Sequence, residues 1–134
     1  MTTRTFALIF GIVFLAIGVA GAAGLAGYAP GLVDNMDDGH GMLLGMFAVN
    51  QLHNIVHILF GIWGLLAFRS LGGATMYARG VAIIYAVLAV LGLVYTDGDA
   101  LGLVPLHGND VYLHAALAVI AAYFGWMHRN PATP

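Results

Sequence analysis

The sequence predicts an all-α integral membrane protein, a bundle of four transmembrane helices. Of its 134 residues, 61% are apolar and only 7% carry a formal charge, whereas a soluble domain devotes about a quarter of its residues to charged side chains. So few charges cannot keep a compact particle with this much apolar surface in water. The apolar residues also fall into four long segments, and roughly 20 such residues are needed to cross a bilayer. The lipid bilayer is therefore the expected surrounding of this chain.

The composition excludes several functional classes. The net charge of −2 leaves no basic patch for phosphates, so we expect no nucleic-acid partner. The chain has no cysteine, which excludes a disulfide framework, a thiolate metal site and a thiol nucleophile. The sequence shows neither a nucleotide-binding loop nor a nucleophile–base motif, so it favours a protein that is not an enzyme.

The four predicted spans are joined by short connections. Each is too apolar on every side to be an amphipathic helix of a soluble protein. The short connections leave room for only one domain, covering residues 1–134. In chain order, the predicted spans cover residues 6–28, 49–68, 76–95 and 111–127.

The first span can also be compared with a secretory signal. Arg4 precedes the apolar run, and the small residues 20–22 resemble a cleavage site. However, the apolar run continues to Tyr28 and is longer than the usual core of a signal peptide. We therefore expect this segment to be retained as a transmembrane helix.

The charged residues predict the orientation of the spans. All six aspartates lie in the first and third connections or at their borders. Cytoplasmic loops carry the excess of Lys and Arg, so both termini and the second connection should be cytoplasmic. The prediction is a multi-pass protein of the cytoplasmic membrane. The four arginines that set this orientation are Arg4, Arg69, Arg79 and Arg129.

The chain reads as two similar halves. Residues 45–57 align with residues 102–114 at a constant offset of 57, which pairs His57 with His114. Arg4 and the first span correspond to Arg79 and the third span. Each half is then a helix leading outward, an outer loop and a helix returning inward. The sequence thus predicts two parallel helix-hairpin repeats, related by an axis along the membrane normal.

Polar side chains mark one face of the second and the fourth span. At 100° per residue, His53, Asn54 and His57 share one face, and Asp110 and His114 share the corresponding face of the fourth span. We expect the two faces to meet in the outer half of the bundle. On one interpretation they form a polar network that holds helix register in a structural or accessory membrane subunit. The predicted network comprises Asn50, His53, Asn54, His57, His107, Asn109, Asp110 and His114, with Asn50 and either Asn109 or Asp110 capping the helix starts.

A metal site is the second interpretation of these residues. His53 and His57 are four residues apart, as are Asp110 and His114, so each pair lies on one helix face. Three imidazoles and one carboxylate are a sufficient ligand set for Zn or Cu. His107 would then orient a ligand from outside this set.

Haem b is a third interpretation, with His57 and His114 as the axial ligands on facing helices. Every arginine is predicted to be cytoplasmic, which leaves none on that side to bind the propionates. A small channel or a proton-transfer element built on the His and Asp residues is a further alternative. The residues leave these alternatives open.

Small residues allow close helix contacts within the chain or beyond it. Ala16, Ala20 and Gly24 share one face of the first span, and such stripes let helices approach closely in lipid. Self-association and contact with other membrane subunits are both compatible with this pattern, which identifies neither.

Two runs of residues carry a resemblance to a known family. The first is NQLHNIVHILFG at residues 50–61, and the second is VPL at residues 104–106, followed by Asn109, Asp110 and His114. With the four-span layout, they resemble the small bacterial membrane proteins grouped as domain of unknown function 4383. The resemblance covers nearly the whole chain and implies a four-helix membrane protein. It implies signature positions at His53, Asn54, His57, Asp110 and His114, and it brings no assigned activity.

Overall fold

The computed structural model of this chain describes residues 1–35, 39–95, 99–100, 103–106 and 108–130. These residues form four helices and two small antiparallel sheets, so the fold is mostly helical. The helices are α1 (Thr3–Leu25), α2 (Gln51–Ala67), α3 (Leu71–Val94) and α4 (Asn109–Ala122), and α4 continues as a π-helical turn (Tyr123–Met127). The strands are β1 (Val33–Asn35), β2 (His40–Leu43), β3 (Phe47–Asn50), β4 (Asp99–Ala100) and β5 (Val104–Pro105).

Three of these helical segments are long and apolar enough to cross a membrane, as judged over the residues described. They are Thr3–Leu25, Leu71–Val94 and Asn109–Met127. Helix α2 has 17 residues and is shorter than the predicted second span, because residues 49 and 50 belong to β3. Helix α3, in contrast, begins five residues before the predicted third span.

Polar side chains set the starts of three helices. Thr2, Asn50 and Ser70 each accept a hydrogen bond from the backbone N–H three residues later, at 3.1, 2.8 and 3.0 Å. These bonds satisfy N–H groups that have no acceptor within the helix. The cap at Asn50 is as the sequence predicts.

The start of α4 differs from the prediction that Asn109 or Asp110 would cap it. The N-cap is Gly108, and within the described part of the chain no side chain caps this helix. Gly108 has φ of +65°, a backbone conformation that glycine adopts without steric cost. Because the chain turns at Gly108, Asn109 and Asp110 are already helical, and Asp110 lies in the first turn.

A three-stranded sheet stands where the sequence predicted only a connection between two spans. Its order is β1-β2-β3, with Val33 opposite Leu43 and His40 opposite Asn50. Its apolar side packs on α1: Val33, Leu43 and Val49 form a buried cluster with α1 side chains. The purely helical prediction is therefore corrected at this point. Strands of three or four residues in an apolar chain are too short to be recognised from alternation alone.

Helices α1 and α2 approach at backbone distance because glycines face each other. A Cβ atom added to Gly64 would lie 2.7 Å from the Cα of Gly11, and one added to Gly61 would lie 2.6 Å from the backbone N of Leu15. No side chain larger than hydrogen fits these places without displacing the partner helix. The two helices therefore form one tight hairpin.

Aromatic side chains join this hairpin to the hairpin of α3 and α4. The ring of Phe6 stacks on Phe124 with centroids 4.8 Å apart, and Phe14 stacks on Tyr85 at 5.4 Å. All four side chains are buried in the main core. Stacked aromatic pairs contribute beyond the area that they bury, so these contacts fix how the hairpins face each other.

An arginine binds a backbone carbonyl at the C-terminal end of the second helix of each hairpin. The Nε atom of Arg4 donates to the carbonyl oxygen of Phe68, and that of Arg79 donates to the carbonyl oxygen of Gly125, both at 2.8 Å. The last carbonyls of a helix have no intrahelical donor, and a cation there also interacts favourably with the helix dipole. In each hairpin the donor is thus on the first helix and the acceptor is at the end of the second.

The outward faces of the helices are strongly apolar. Ile12, Leu59, Val90 and Val119 are between 52 and 71% exposed. An apolar surface of this extent would cause aggregation in water, whereas it suits contact with hydrocarbon.

Candidate functional site

Asn50 and Asp110 connect the two hairpins at the end where α2 and α4 begin. The Nδ2 atom of Asn50, at the start of α2, donates to the carbonyl oxygen of Leu103 in the connection between α3 and α4, at 2.8 Å. The Oδ2 atom of Asp110, at the start of α4, accepts from the backbone N–H of Ala48 in the connection between α1 and α2, at 3.1 Å. Each hairpin thus holds the loop of the other. Asp110 is 2% exposed, so water does not compete strongly for this bond.

Three imidazoles lie one to two helical turns further along α2 and α4 than Asn50 and Asp110. The rings of His53 and His57 stack with centroids 4.3 Å apart and planes 6° apart, and the ring of His114 lies 6.5 Å from that of His53. All three side chains are buried. The Nδ1 atom of His57 lies 3.0 Å from the backbone oxygen of His53. The structure thus brings together the His residues of α2 and α4.

Aromatic edges border these imidazoles. His57 meets Phe14 and His114 meets Tyr85, both edge to face, with centroids 5.5 and 5.0 Å apart. The Nδ1 atom of His114 is buried and has no hydrogen-bond partner among the described residues. A buried polar atom without a partner loses its hydration without compensation. His114 therefore presents an unused hydrogen-bonding atom inside the protein.

Asn54 lies apart from the imidazoles. It is fully buried against α1, where a Cβ atom on Gly21 would collide with its amide and one on Gly18 would meet its backbone oxygen. Neither amide atom has a hydrogen-bond partner within the described chain. On α2, Asn54 is 100° from His53, which turns it to α1 instead of to α4. The predicted network thus divides into two parts.

Asn109 does not join the cluster, because it is exposed at the start of α4. His107, the other predicted member, lies outside the described residues. Among the described residues, the cluster consists of the side chains of His53, His57 and His114, with Asn50 and Asp110 at its edge.

The four predicted metal ligands are not arranged as a metal-binding group. In the part of the chain that the structure describes, no set of three or more His, Asp, Glu or Cys side chains is placed to hold a metal ion. His53 and His57 stack face to face, an arrangement that does not point their nitrogens at a common centre. Asp110 uses Oδ2 to bind Ala48. The haem b ligation by His57 and His114 stays a prediction.

A cavity of about 240 Å³ adjoins the imidazoles. Phe10 and Phe14 of α1 line one side, Leu113 and Leu117 of α4 line the other, and Phe47 of β3 lines it as well. The sequence prediction missed these residues. In a helix that is apolar all round, the stripe that faces a cavity has the same residue types as the stripe that faces lipid.

A second cavity, of about 110 Å³, lies between α2 and α3. Its lining includes His53, His57 and His114, so the imidazoles separate the two cavities. Four pairs of residues 57 positions apart have one member in the lining of each cavity. The pairs are Val49 with Leu106, His53 with Asp110, Val56 with Leu113 and His57 with His114.

The family model described as a domain of unknown function, DUF4383, matches residues 4–127. The chain belongs to the DUF4383 family. The match confirms the resemblance predicted from the two sequence runs, and it spans all four helices of this DUF4383 protein. No significant match was found to a curated protein or to a solved structure. DUF4383 membership carries no activity, so a function must be inferred from the residues themselves.

Proposed function

We propose that this DUF4383 protein is a four-pass protein of the bacterial cytoplasmic membrane, with both termini in the cytoplasm. Its two halves are parallel hairpin repeats, and it serves as a structural or accessory membrane subunit. The polar residues in its outer half lock the two hairpins together. The reciprocal bonds of Asn50 and Asp110 carry this proposal.

The length of α2 supports a fourth span. Its 17 residues cover about 26 Å at roughly 1.5 Å per residue, close to the ~30 Å thickness of the hydrocarbon core. The preceding strand β3 is paired with β2, so its backbone groups can enter the headgroup region without losing hydrogen bonds. Since α2 packs along α1 through glycines, it follows α1 through the bilayer.

Two sets of contacts support the repeats. Arg4 with Phe68 and Arg79 with Gly125 make the same bond. The acceptors are 57 residues apart in the sequence and the donors 75, since the first half has the longer connection. The two cavities beside the imidazoles are lined by further residues at the offset of 57. Equal contacts in both halves are expected of a duplicated hairpin.

The positions of the charges support the orientation. Arg4 is at the end of the bundle where α1 begins and α2 ends, and Arg79 is in the first part of α3 at the same end. Asp34 and Asp110 are at the opposite end. Lys and Arg accumulate on the cytoplasmic side of membrane proteins, so the arginine end faces the cytoplasm.

The hydrogen bonds of Asn50 and Asp110 give the hairpins an attraction that apolar contacts do not give in lipid. Apolar side chains gain little by leaving lipid for another helix, so helices associate through close packing and hydrogen bonds. Asn50 and Asp110 bind backbone groups of the opposite hairpin. Their bonds therefore specify one arrangement of the hairpins.

A double-mutant cycle tests this role. In detergent, Asp110→Ala and Asn50→Ala should each lower the free energy of unfolding by about 1–3 kcal/mol. Asp110→Ala leaves the buried N–H of Ala48 without its partner, and Asn50→Ala removes a part-buried bond to Leu103 together with the cap of α2. The matched control is Asn109→Ala, since Asn109 is exposed beside Asp110. Equal stabilities of Asp110→Ala and Asn109→Ala would contradict the proposal. Coupling between the Asn50 and Asp110 substitutions would show that the two bonds act on the same interface.

A further inference from the structure

We propose that the cavity between α1 and α4 binds a lipid-soluble molecule with a polar single-ring head, of the benzoquinone or hydroquinone class. This binding site is distinct from the structural role of Asn50 and Asp110. It uses the cavity and the imidazoles, whereas the structural role uses the bonds between the outer loops.

The size and walls of the cavity suit one ring. A cavity of about 150 Å³ holds a benzene molecule, and this one measures about 240 Å³, which leaves room for ring substituents. Phe10, Phe14 and Phe47 contribute aromatic walls. Aromatic side chains pack on a planar ring by offset or edge contacts. An apolar cavity with a few converging polar groups is the usual form of a small-molecule site.

The imidazole side of the cavity requires a polar group on the ligand. His53, His57 and His114 line the cavity, whereas the Nδ1 atom of His114 is enclosed by protein. A neutral imidazole offers one donor and one acceptor. A ring carbonyl or hydroxyl can therefore pair with an imidazole nitrogen that faces the cavity, whereas a lipid acyl chain has no polar atom to offer.

The mouth of the cavity is apolar and open to the surface. Val13 of α1 and Leu113 of α4 line it and are 45 and 37% exposed. A hydrocarbon tail attached to the ring can leave the cavity between these two helices. Asp110 is the acidic residue of the lining, and it is 2% exposed. The site thus accepts a ring whose tail extends away from the protein.

The volume of the second cavity limits the number of ligand molecules that we expect to bind. At about 110 Å³, it is smaller than the ~150 Å³ cavity that accommodates benzene. Of the two cavities that the imidazoles line, only the one between α1 and α4 therefore accommodates a substituted ring. We expect one bound molecule per chain beside the imidazoles.

Equilibrium binding of a one-isoprene ubiquinone to the detergent-solubilised full chain tests the proposal. We expect one saturable site. Val13→Trp should weaken binding by about tenfold or more, because the indole fills the mouth. The matched control is Val19→Trp on the same helix, at a side chain 52% exposed outside the cavity lining, and it should leave binding unchanged. His114→Phe keeps a ring and removes both nitrogens, so binding should weaken by about three- to tenfold.

Competition with dodecane distinguishes a ring site from an acyl-chain site. Dodecane should displace the quinone poorly, because it cannot pair with an imidazole nitrogen. Absence of saturable binding to the wild-type chain would overturn the proposal, as would undiminished binding to a folded Val13→Trp variant. Displacement by dodecane as effective as that by unlabelled quinone would also overturn it. This competition uses the wild-type chain, so it decides the question even where a variant does not fold.

Discussion

Arg79 binds the carbonyl oxygen of Gly125 through Nε at 2.8 Å, and its guanidinium also lies 5.6 Å from the ring centroid of Trp126. Helix α4 ends there in a π-helical turn, Tyr123–Met127. A Cβ atom on Gly125 would lie 2.9 Å from the Cγ of Arg79. The arginine thus packs directly against the backbone of the turn that it caps.

This contact predicts that the two capping arginines, Arg4 and Arg79, differ in their effect on stability. Arg79→Met should lower the free energy of unfolding by about 1.5–3 kcal/mol, as expected for a partly buried hydrogen bond to a charged group. Arg4→Met should cost less, about 1 kcal/mol or below, because the bond of Arg4 to Phe68 is exposed. Thermal unfolding in detergent measures both. A larger loss of stability for Arg4→Met than for Arg79→Met would show that solvent exposure does not decide which arginine stabilises the protein more.

The proposed topology predicts the side on which introduced cysteines react. The chain has no cysteine of its own, so single substitutions give an unambiguous signal. Met46→Cys in the first outer loop should react with a membrane-impermeant maleimide in intact cells, because Met46 is 49% exposed. Leu71→Cys at the start of α3, where Leu71 is 47% exposed, should react only after permeabilisation. Labelling of both in intact cells would refute the proposed orientation.

The glycine contacts between α1 and α2 predict a strong positional effect of alanine. Gly64→Ala should destabilise the protein by about 1–3 kcal/mol, since its Cβ would meet the Cα of Gly11 at 2.7 Å. The matched control is Gly72→Ala in α3, whose Cβ would meet no described atom within 4 Å. It should be neutral, or stabilising by up to about 1 kcal/mol through helix propensity. Unfolding temperatures measured side by side decide this, and similar values for both variants would mean that α1 and α2 are not in close contact.

The arrangement of the imidazoles predicts how the protein responds to metal removal. His53 and His57 stack at 4.3 Å, and Asp110 is engaged by Ala48. We therefore expect chelation to leave the unfolding temperature unchanged, and elemental analysis of the purified protein to find less than one metal ion per chain. Finding a stoichiometric metal that His57→Ala or His114→Ala removes would support the metal site that the sequence suggested.

Much of the fold can be predicted from the sequence because lipid imposes simple requirements. Apolar length located the helices, and the cap at Asn50 followed from its place before an apolar run. The proximity of His53 and His114 was predicted from helix geometry together with the proposed repeat, and their rings lie 6.5 Å apart. The start of α4 was predicted wrongly, since its N-cap is Gly108 instead of Asn109 or Asp110. A single residue with positive φ can shift the start of a helix while the hydropathy of the segment stays the same.

Other features depend on tertiary contacts that hydropathy does not record. Asn54 shares a helix with the histidines but faces Gly21 of α1, and only the position of the neighbouring helix decides this. The sheet formed by β1, β2 and β3 depends on pairing between short strands. The cavity depends on the separation of α1 and α4 beside Phe14. Each requires the three-dimensional arrangement of elements that are individually apolar.

Helix α2, with 17 residues, is six residues shorter than its partner α1, which has 23. In the proposed four-pass arrangement this inequality creates hydrophobic mismatch on one flank of the protein. The adjoining lipids must thin there, or the bundle must tilt, at a cost of a fraction of a kcal/mol per Å. The protein would accordingly partition into bilayers with short acyl chains in preference to thick ones.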